Sequence, residues 1–379
     1  MKQSITPSDI QLLALVRASL WQHPTEEPLF STGSVDWQEI AQHALMQTVG
    51  SLVFEGALSL PKALQPPKDW IKRALTFMES NRRTQIQVDR CAAEAISRLQ
   101  NEGIEPILLK GQAYARAYLR PDMRQCGDID LYVGEFHYLQ AYSVVQKLGW
   151  ESEEIFDLEA KHYGCRLNGI RIEMHRIAGQ LSPHSTDCKF QQWSRNHLSS
   201  SKHVITIDGK DISVPSPAFD IVFVFLHLYL HFLNGGIGLR HICDWTMLLH
   251  LHSKEININE LERNLKDFRL IRGWKLFAPI AVEHLGLPES ECPFYSKRYA
   301  RQSERILSTI LKEGNFGRAR QSKTKRPKGY LAGKLYSFMR HTACMSSKFL
   351  IDPNTISRTY CSYLIKGFTR VIKDLMKKE

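Results

Sequence analysis

The sequence lacks the features that identify several large classes of protein. Its eight cysteines are widely spaced and include no C-x-x-C pair, which argues against a zinc site or a disulfide framework. The N-terminus has no apolar signal core, and the most apolar run, residues 221–233, contains two histidines and is too short to cross a bilayer. With 43% hydrophobic residues and only 22 Gly and 16 Pro in 379, the chain is neither disordered nor fibrous. We therefore expect a globular, cytoplasmic protein with reduced thiols and no transmembrane segment.

Acidic residues are scarce in the last fifth of the chain. Residues 301–379 contain 18 Lys and Arg against 5 Asp and Glu, whereas the first 300 residues contain 32 and 34. The basic excess is densest in residues 314–329, which hold six basic residues and no acid. Such a segment could bind nucleic acid or an acidic membrane surface. Its charged stretch, residues 318–328, contains no aromatic side chain, so a solvated basic linker is favoured.

The periodicity of apolar residues predicts an α+β fold in which a small α/β module lies between helical regions. Residues 70–99 form a long helical pattern without Gly or Pro. Short strand patterns follow, and they end in two hairpins that turn at Asn168-Gly169 and Asp208-Gly209, because these pairs accept the positive φ angles of a tight turn. The chain divides into four predicted parts: a helical N-terminal region (1–101), an α/β core (102–215), a helical C-terminal domain (216–313), and a basic linker with C-terminal helices (314–379).

Helical periodicity also predicts the individual helices of the last two parts. In the C-terminal domain they cover residues 217–233, 238–251, 258–270, 273–285 and 296–313. After the basic linker, two further helices are expected near 330–350 and 355–377.

Three acidic residues lie where strands are predicted. Asp128 and Asp130 are two apart within Gly-Asp-Ile-Asp-Leu-Tyr-Val, so their side chains point to the same face of the strand. Two carboxylates held close together repel one another unless a cation lies between them, and such oxygen ligands suit Mg²⁺ or Mn²⁺. Glu173, on the following hairpin, could join the pair and complete a cluster able to hold two metal ions. The alternatives are a solvated turn for the aspartates and an ion pair with Arg171 or Arg176 for Glu173.

Five motifs spread over most of the chain carry a resemblance to a known family. They are Leu108-Leu109-Lys110-Gly111, Arg124-Gln125-Cys126-Gly127-Asp128-Ile129-Asp130-Leu131, Ile172-Glu173-Met174-His175, the segment 236–245 and the segment 313–317. These motifs resemble the nucleotidyltransferases of the DNA polymerase β superfamily, most closely a bacterial branch known as an uncharacterised nucleotidyltransferase family. The resemblance implies a polymerase-β-like core, in which Asp128 and Asp130 bind both metal ions and Glu173 binds the ion that activates the acceptor.

The phosphate-binding motif departs from the pattern of this superfamily. Its members usually have Gly-Ser or Gly-Gly before the D-x-D, where backbone and hydroxyl groups hold the triphosphate. This chain has Lys110-Gly111-Gln112 instead. The side chain of Lys110 could neutralise phosphate charge in their place, and Arg124 could assist.

Further polar residues have both a functional and a structural interpretation. Arg240 follows a glycine-rich junction and could meet an anionic substrate in a cleft, or it could form an i, i+4 ion pair with Asp244. His175 could orient a ligand or the acceptor, or it could be an ordinary hydrogen-bonded histidine. Three more histidines lie on the predicted helices: His227, His231 and His241. Their number suggests zinc, but the segment is apolar and lacks the Glu of an H-E-x-x-H motif, so helix packing is favoured.

The expected function is that of a metal-dependent nucleotidyltransferase. It would move a nucleoside monophosphate from an NTP to an unidentified acceptor, with the three carboxylates holding Mg²⁺ or Mn²⁺. Glu173 must then lie on a strand beside the D-x-D strand, with its carboxylate within about 6–7 Å of the carboxylate of Asp130. One alternative is a catalytically inactive module of this fold that binds or regulates. The other, a D-x-D glycosyltransferase, is disfavoured because residues 1–101 show helices where it needs βα repeats.

Overall fold

Most of the described chain is helical. The structure, a computed structural model, describes residues 5–31, 33, 35–200, 203–315, 327, 329–349, 351–353, 355–358, 360–361 and 364. The helices, numbered in chain order, are α1 Pro7–Trp21, α2 Pro28–Ser31, α3 Trp37–Met46, α4 Gly50–Leu58, α5 Lys68–Gln100, α6 Gln112–Ala115, α7 Gly134–Lys147, α8 His184–Ser200, α9 Pro217–Asn234, α10 Leu239–His252, α11 Ile258–Asp267, α12 Ile271–Pro279, α13 Ala300–Glu313 and α14 Tyr330–Lys348. Between residues 5 and 101, the described chain contains α1 to α5 and no strand.

The long helix α5 contributes to both of the apolar clusters that form the core. It runs without interruption over 33 residues. Trp70 and Ala74, near its start, pack among residues of the N-terminal and C-terminal helices. Val88 and Leu99, nearer its end, pack instead against the sheet and α7. Because one continuous helix contributes to both clusters, it joins the helical part of the molecule to the sheet.

The sheet is small and mixed, as the sequence predicts. Its strands are β1 Ile107–Leu108, β2 Ile129–Tyr132, β3 Glu151–Ser152, β4 His162–Leu167 and β5 Ile170–His175. Their order is β1-β2-β5-β4-β3, and β2 and β5 run parallel while the other neighbours run antiparallel. A separate two-stranded ribbon is formed by β6 His203–Ile207 and β7 Lys210–Val214. The mixed α+β fold class is therefore confirmed.

The Asn-Gly turn sets the register of the hairpin that carries Glu173. Asn168 and Gly169 have φ angles of 53° and 77°, which is the left-handed conformation expected of this turn. The turn pairs β4 with β5 so that His162 lies opposite His175. On its other edge β5 pairs with β2, and Glu173 lies opposite Asp130. A shift of one residue would have turned Glu173 to the opposite face of the sheet.

The C-terminal helices follow the predicted periodicity with three differences in their bounds. The helix expected over 258–270 ends at Asp267. The helix expected over 273–285 begins at Ile271 and ends at Pro279, which has no N–H to donate. The chain continues as one wider turn, in which the N–H of Leu285 donates to the carbonyl of Ile280. The helix expected to begin at residue 296 begins at Ala300, after a short 3₁₀ turn. Helix α14 confirms the prediction near 330–350, whereas most of the basic linker and of the helix expected over 355–377 lies outside the described residues.

Among the described residues, α9 is the one helix that is long and apolar enough to span a membrane, and 67% of it is buried inside the protein. It packs against α10, α11 and α14. This packing gives its apolar side chains a place in the core.

Candidate active site

A cavity of about 250 Å³ is bounded on one side by the sheet and on the other by α9 and α10. The turn after β1 contributes Lys110 and Gly111 to its wall, the sheet contributes Asp130 and Glu173, and α10 contributes Arg240. The segment before β2 contributes Arg124 and Asp128, so Asp128 lies one residue before the strand that the sequence predicted to hold it. Seven of the eight site residues expected from the sequence therefore line one cavity. The eighth, His175, is only 1% exposed and lies beneath this surface.

Lys110 and Gly111 occupy a sharp turn between β1 and α6. The ammonium of Lys110 lies 2.8 Å from Oδ1 of Asp130. Gly111 has a φ of +58°, and a Cβ at this position would lie 3.2 Å from the carbonyl oxygen of Asp128. Glycine thus allows the backbone to turn close to the D-x-D strand and to bring Lys110 onto the second aspartate.

Asp130 is a buried carboxylate with two partners at one of its oxygens. Oδ1 lies 2.8 Å from the Lys110 ammonium and 2.8 Å from Nε2 of His175. Burial alone would raise the pKa of Asp130, but the charge of Lys110 and the hydrogen bond to His175 outweigh it and hold the pKa well below its usual range. His175 is therefore a buried, hydrogen-bonded histidine, which is one of the two interpretations that the sequence allowed.

Asp128 has the opposite electrostatic environment. Its carboxylate lines the cavity and has no hydrogen bond or ion pair with any residue that the structure describes. Burial raises the pKa of Asp128, and the negative charge of Asp130 raises it further. A carboxylate in this position is stabilised by any additional cation that enters the cavity.

Glu173 faces the same cavity from β5. Its Oε2 lies 3.5 Å from Nε2 of His175, and its Oε1 lies 3.2 Å from Arg171. Burial alone would raise the pKa of Glu173, but the hydrogen bond from His175, together with the charge interactions of His162 and His175, lowers it to about 2. Arg171 does pair with Glu173, as the alternative interpretation expected, but this ion pair lies within the cavity wall.

Asp130 and Glu173 satisfy the expected spacing. The Oδ1 atom of Asp130 and the Oε2 atom of Glu173 lie 2.8 and 3.5 Å from the same nitrogen of His175. Their separation cannot exceed the sum of these two distances, which is below about 7 Å, the limit for bridging by one ion. The geometric prediction for Glu173 is confirmed, whereas the binding roles of the three acids stay predictions.

Arg124 and Arg240 have different partners although both line the cavity. Arg124 forms a buried fork with Asp244, with Nε 2.7 Å from Oδ1 and Nη2 2.9 Å from Oδ2. The same carboxylate accepts a hydrogen bond of 2.7 Å from Tyr118. Arg240 donates from Nη1 to the carbonyl of Gln125 at 2.6 Å, and its buried Nε has no partner in the described structure. The local ion pair between Arg240 and Asp244 that the spacing suggested is therefore wrong, because Arg124 occupies Asp244.

Three histidines form the wall opposite the carboxylates. The ring centroids of His227 and His231 are 4.4 Å apart, and His241 lies 6.0 and 6.2 Å from them. Burial lowers the pKa of all three, to about 4 for His231 and about 3 for His241. Within the described residues, the one group of metal-ligating atoms spaced for a single ion lies elsewhere, so the zinc interpretation of these histidines has no support.

Lys161 and His162 are among the cavity residues that the sequence did not single out. Both stand at the start of β4 and line the cavity. Lys161 has no ion-pair partner among the described residues, and burial together with the charge of Lys110 lowers its pKa. The predicted hairpin contained the signal for His162, because an Asn168-Gly169 turn places residue 162 opposite residue 175.

This chain is similar to a known protein family and to a solved structure. A family model described as uncharacterised nucleotidyltransferase matches residues 33–286, a span that contains every residue of the cavity named above. No curated protein matches the sequence. Among solved structures, a nucleotidyltransferase-like antigenic protein from Paracoccidioides brasiliensis is similar at 14% identity, with a TM-score of 0.33, over 57% of this chain and 96% of that one.

Proposed function

The chain belongs to the uncharacterised nucleotidyltransferase family, and we propose that it transfers a nucleoside monophosphate from an NTP to an acceptor in a reaction that requires a divalent metal ion. The observation that carries this proposal is the convergence of Asp128, Asp130 and Glu173 on one cavity. Asp128 lies directly before β2, Asp130 lies on β2, and Glu173 lies on the parallel neighbour β5, where the register sets it opposite Asp130.

The donor set of the cavity fits Mg²⁺ or Mn²⁺. Carboxylate oxygens are the ligands that these ions prefer. Asp128 has no cationic partner among the described residues, and its pKa is raised by burial and by the charge of Asp130. When bound by Asp128, Asp130 and Glu173, the metal would lower the pKa of an acceptor hydroxyl and offset the charge on departing pyrophosphate.

The basic residues of the cavity would bind the phosphates. Lys110 lies at the turn beside the D-x-D strand, and Arg240 presents a buried Nε without a partner. Lys161 adds a third cation that no described acid neutralises. Arg124 would contribute less, because the carboxylate of Asp244 already compensates its charge. A triphosphate brings negative charge that Lys110, Lys161 and Arg240 can offset.

The helical wall would receive the acceptor. His227, His231 and His241 face the carboxylates across the cavity, and burial favours their neutral form. A neutral imidazole can form a hydrogen bond with the hydroxyl of an acceptor and so help to orient it. We propose a cytoplasmic enzyme, since its NTP substrate is found there. Nucleic acid is not the favoured acceptor. We also propose the division of the chain into four parts, with the boundaries given by the sequence.

Thermal unfolding with nucleotide and metal tests the proposal. Each of the four NTPs is added with Mg²⁺, Mn²⁺ or EDTA, because a ligand that binds only the folded state stabilises it by about 2.7 kcal/mol at 100 times its Kd. We expect at least one NTP to raise the melting temperature only when metal is present. Asp128→Asn should abolish this rise without loss of fold, since the carboxylate has no described partner to lose.

Asp208→Asn is the matched control, because Asp208 lies in the β6–β7 turn, where asparagine tolerates its φ of 50°. This variant should behave like the wild type. Stabilisation that is equal in the wild type and Asp128→Asn would contradict a metal-dependent transferase and favour a binding module of the same fold.

A further inference from the structure

His162, Glu173 and His175 present their ligand atoms to one another at one end of the cavity. Nε2 of His162 lies 3.7 Å from Oε2 of Glu173, and Nε2 of His175 lies 3.5 Å from the same oxygen. All the ligand atoms of the group lie within 4.8 Å of one another. Ligands at about 2.1 Å from one tetrahedral ion are about 3.4 Å apart, so these side chains need only small adjustments to share an ion.

The backbone holds these residues in place. His162 and His175 are directly opposite each other on β4 and β5, and Glu173 lies two residues from His175 on the same face. The side chain of His162 is 25% exposed, that of Glu173 is 14% exposed and that of His175 is 1% exposed. Ligands on paired strands are better fixed than ligands on loops, and the group opens to the cavity through His162 and Glu173.

Without an ion, His175 carries a proton on Nε2, because Nε2 lies 2.8 Å from Oδ1 of Asp130 and 3.5 Å from Oε2 of Glu173, and carboxylates only accept hydrogen bonds. Nδ1 of His162 and Nδ1 of His175 are buried and have no hydrogen-bond partner in the described structure. A metal ion bound at Nε2 would replace that proton, and each neutral ring would then carry its proton on Nδ1. In that form His175 exchanges its contact with Asp130 for an ion, while Lys110 remains on Asp130 at 2.8 Å.

We propose that His162, Glu173 and His175 form a binding site for a divalent transition-metal ion, with Zn²⁺ and Mn²⁺ bound in preference to Mg²⁺. Imidazole nitrogens favour borderline ions, whereas Mg²⁺ takes oxygen ligands almost exclusively. Three protein ligands leave a position open for water or substrate, as catalytic sites require. Glu173 belongs both to this group and to the proposed catalytic set of Asp128, Asp130 and Glu173. A catalytic role for the site therefore rests on the proposed function.

Metal titration of the full chain without nucleotide tests the site. The protein is stripped with a chelator and titrated calorimetrically with Zn²⁺, Mn²⁺ and Mg²⁺ in separate experiments. We expect Zn²⁺ and Mn²⁺ to bind at least ten times more tightly than Mg²⁺. His162→Ala should weaken Zn²⁺ and Mn²⁺ binding at least tenfold and leave Mg²⁺ binding within twofold. His162→Gln, which keeps a polar side chain, should do the same, and both variants should keep the wild-type circular dichroism spectrum.

His184→Ala is the matched control. His184 lies 3.4 Å from the sulfur of Cys188 on the exposed start of α8, which is the obvious competing place for Zn²⁺. His184→Ala should leave unchanged the affinity for Zn²⁺ of the site that contains His162. The proposal is overturned if His162→Ala binds Zn²⁺ as tightly as the wild type, if Mg²⁺ binds as tightly as Zn²⁺, or if His184→Ala removes the tight site.

Asp128→Asn separates this proposal from the proposed function. Asp128 is outside the His162, Glu173 and His175 group, so Zn²⁺ binding without nucleotide should persist in this variant. If no NTP stabilises the wild type while Zn²⁺ binding still depends on His162, the transferase proposal fails and the metal site stands.

Discussion

Arg124 and Arg240 both line the cavity, yet their replacement should have different consequences. Arg124 and its partner Asp244 have side chains that are 4% and 6% exposed. Arg124→Met keeps much of the volume but leaves the Asp244 carboxylate with the hydroxyl of Tyr118 and without its fork of hydrogen bonds. Removing one member of a buried ion pair costs about 3–5 kcal/mol, because the remaining charge is buried without compensation.

Arg240→Met should lower the free energy of unfolding less than Arg124→Met does, and it should weaken nucleotide binding more. The side chain makes one hydrogen bond to a carbonyl, at Gln125, and hydrogen bonds to charged groups contribute about 1.5–3 kcal/mol. Since Arg240 is not fully buried, we expect the lower part of this range. Loss of its charge from the group of basic residues proposed to bind the phosphates should weaken NTP binding at least tenfold, which corresponds to about 1.4 kcal/mol.

Urea unfolding of the metal-free protein, followed by circular dichroism, measures the two losses of stability. Arg124→Met should shift the unfolding midpoint further than Arg240→Met, by the equivalent of about 2 kcal/mol. The double variant with Asp244→Asn and Arg124→Met should lose less unfolding free energy than the sum of the losses in the two single variants, because each single change removes the same interaction. Equal shifts for the two arginines, or a loss below about 1 kcal/mol for Arg124→Met, would refute this assignment of their roles.

Three further predictions follow from individual contacts. Lys110→Ala removes the ammonium 2.8 Å from Asp130 and should weaken NTP binding in calorimetry more than it weakens metal binding; an unchanged NTP affinity would exclude the phosphate role. Gly111→Ala places a Cβ 3.2 Å from the carbonyl of Asp128 at a φ of +58° and should lower the melting temperature, with a loss of about 1–2 kcal/mol. The hydrogen bond that His43 donates to Asp9 raises the pKa of His43 above its usual value of about 6.5, so its stabilising effect is complete below that value and is lost as pH rises through the folded-state pKa. The wild type should therefore exceed His43→Gln in melting temperature most clearly near pH 5.5, and a difference that is constant up to about pH 8.5 would contradict the linkage.

Local signals in the sequence were sufficient to predict the carboxylate side of the cavity. The period of two placed Asp128 and Asp130 on one face, and the Asn168-Gly169 turn fixed the face that carries Glu173. Both rules act over a few residues, so one sequence is enough to apply them.

The partners of the basic residues could not be predicted in the same way. Arg124 and Asp244 are separated by 120 residues, and they meet only because α10 packs over the turn before β2. The sequence suggested Arg240 as the partner of Asp244, because residues four apart are neighbours on the surface of a helix. Tertiary packing decided between the two arginines, and it is also what brings the histidines of α9 and α10 opposite the acids.

The affinity for an NTP in the presence and absence of metal tests the central claim most directly. Calorimetric titration uses an α,β-methylene analogue of the NTP that gives the largest stabilisation, so that no turnover contributes heat. We predict that Mg²⁺ or Mn²⁺ tightens binding at least tenfold relative to EDTA in the wild type and in Asp208→Asn, and that Asp128→Asn loses this dependence. An analogue affinity that is the same with metal and with EDTA, or a metal dependence that survives Asp128→Asn, would contradict the account.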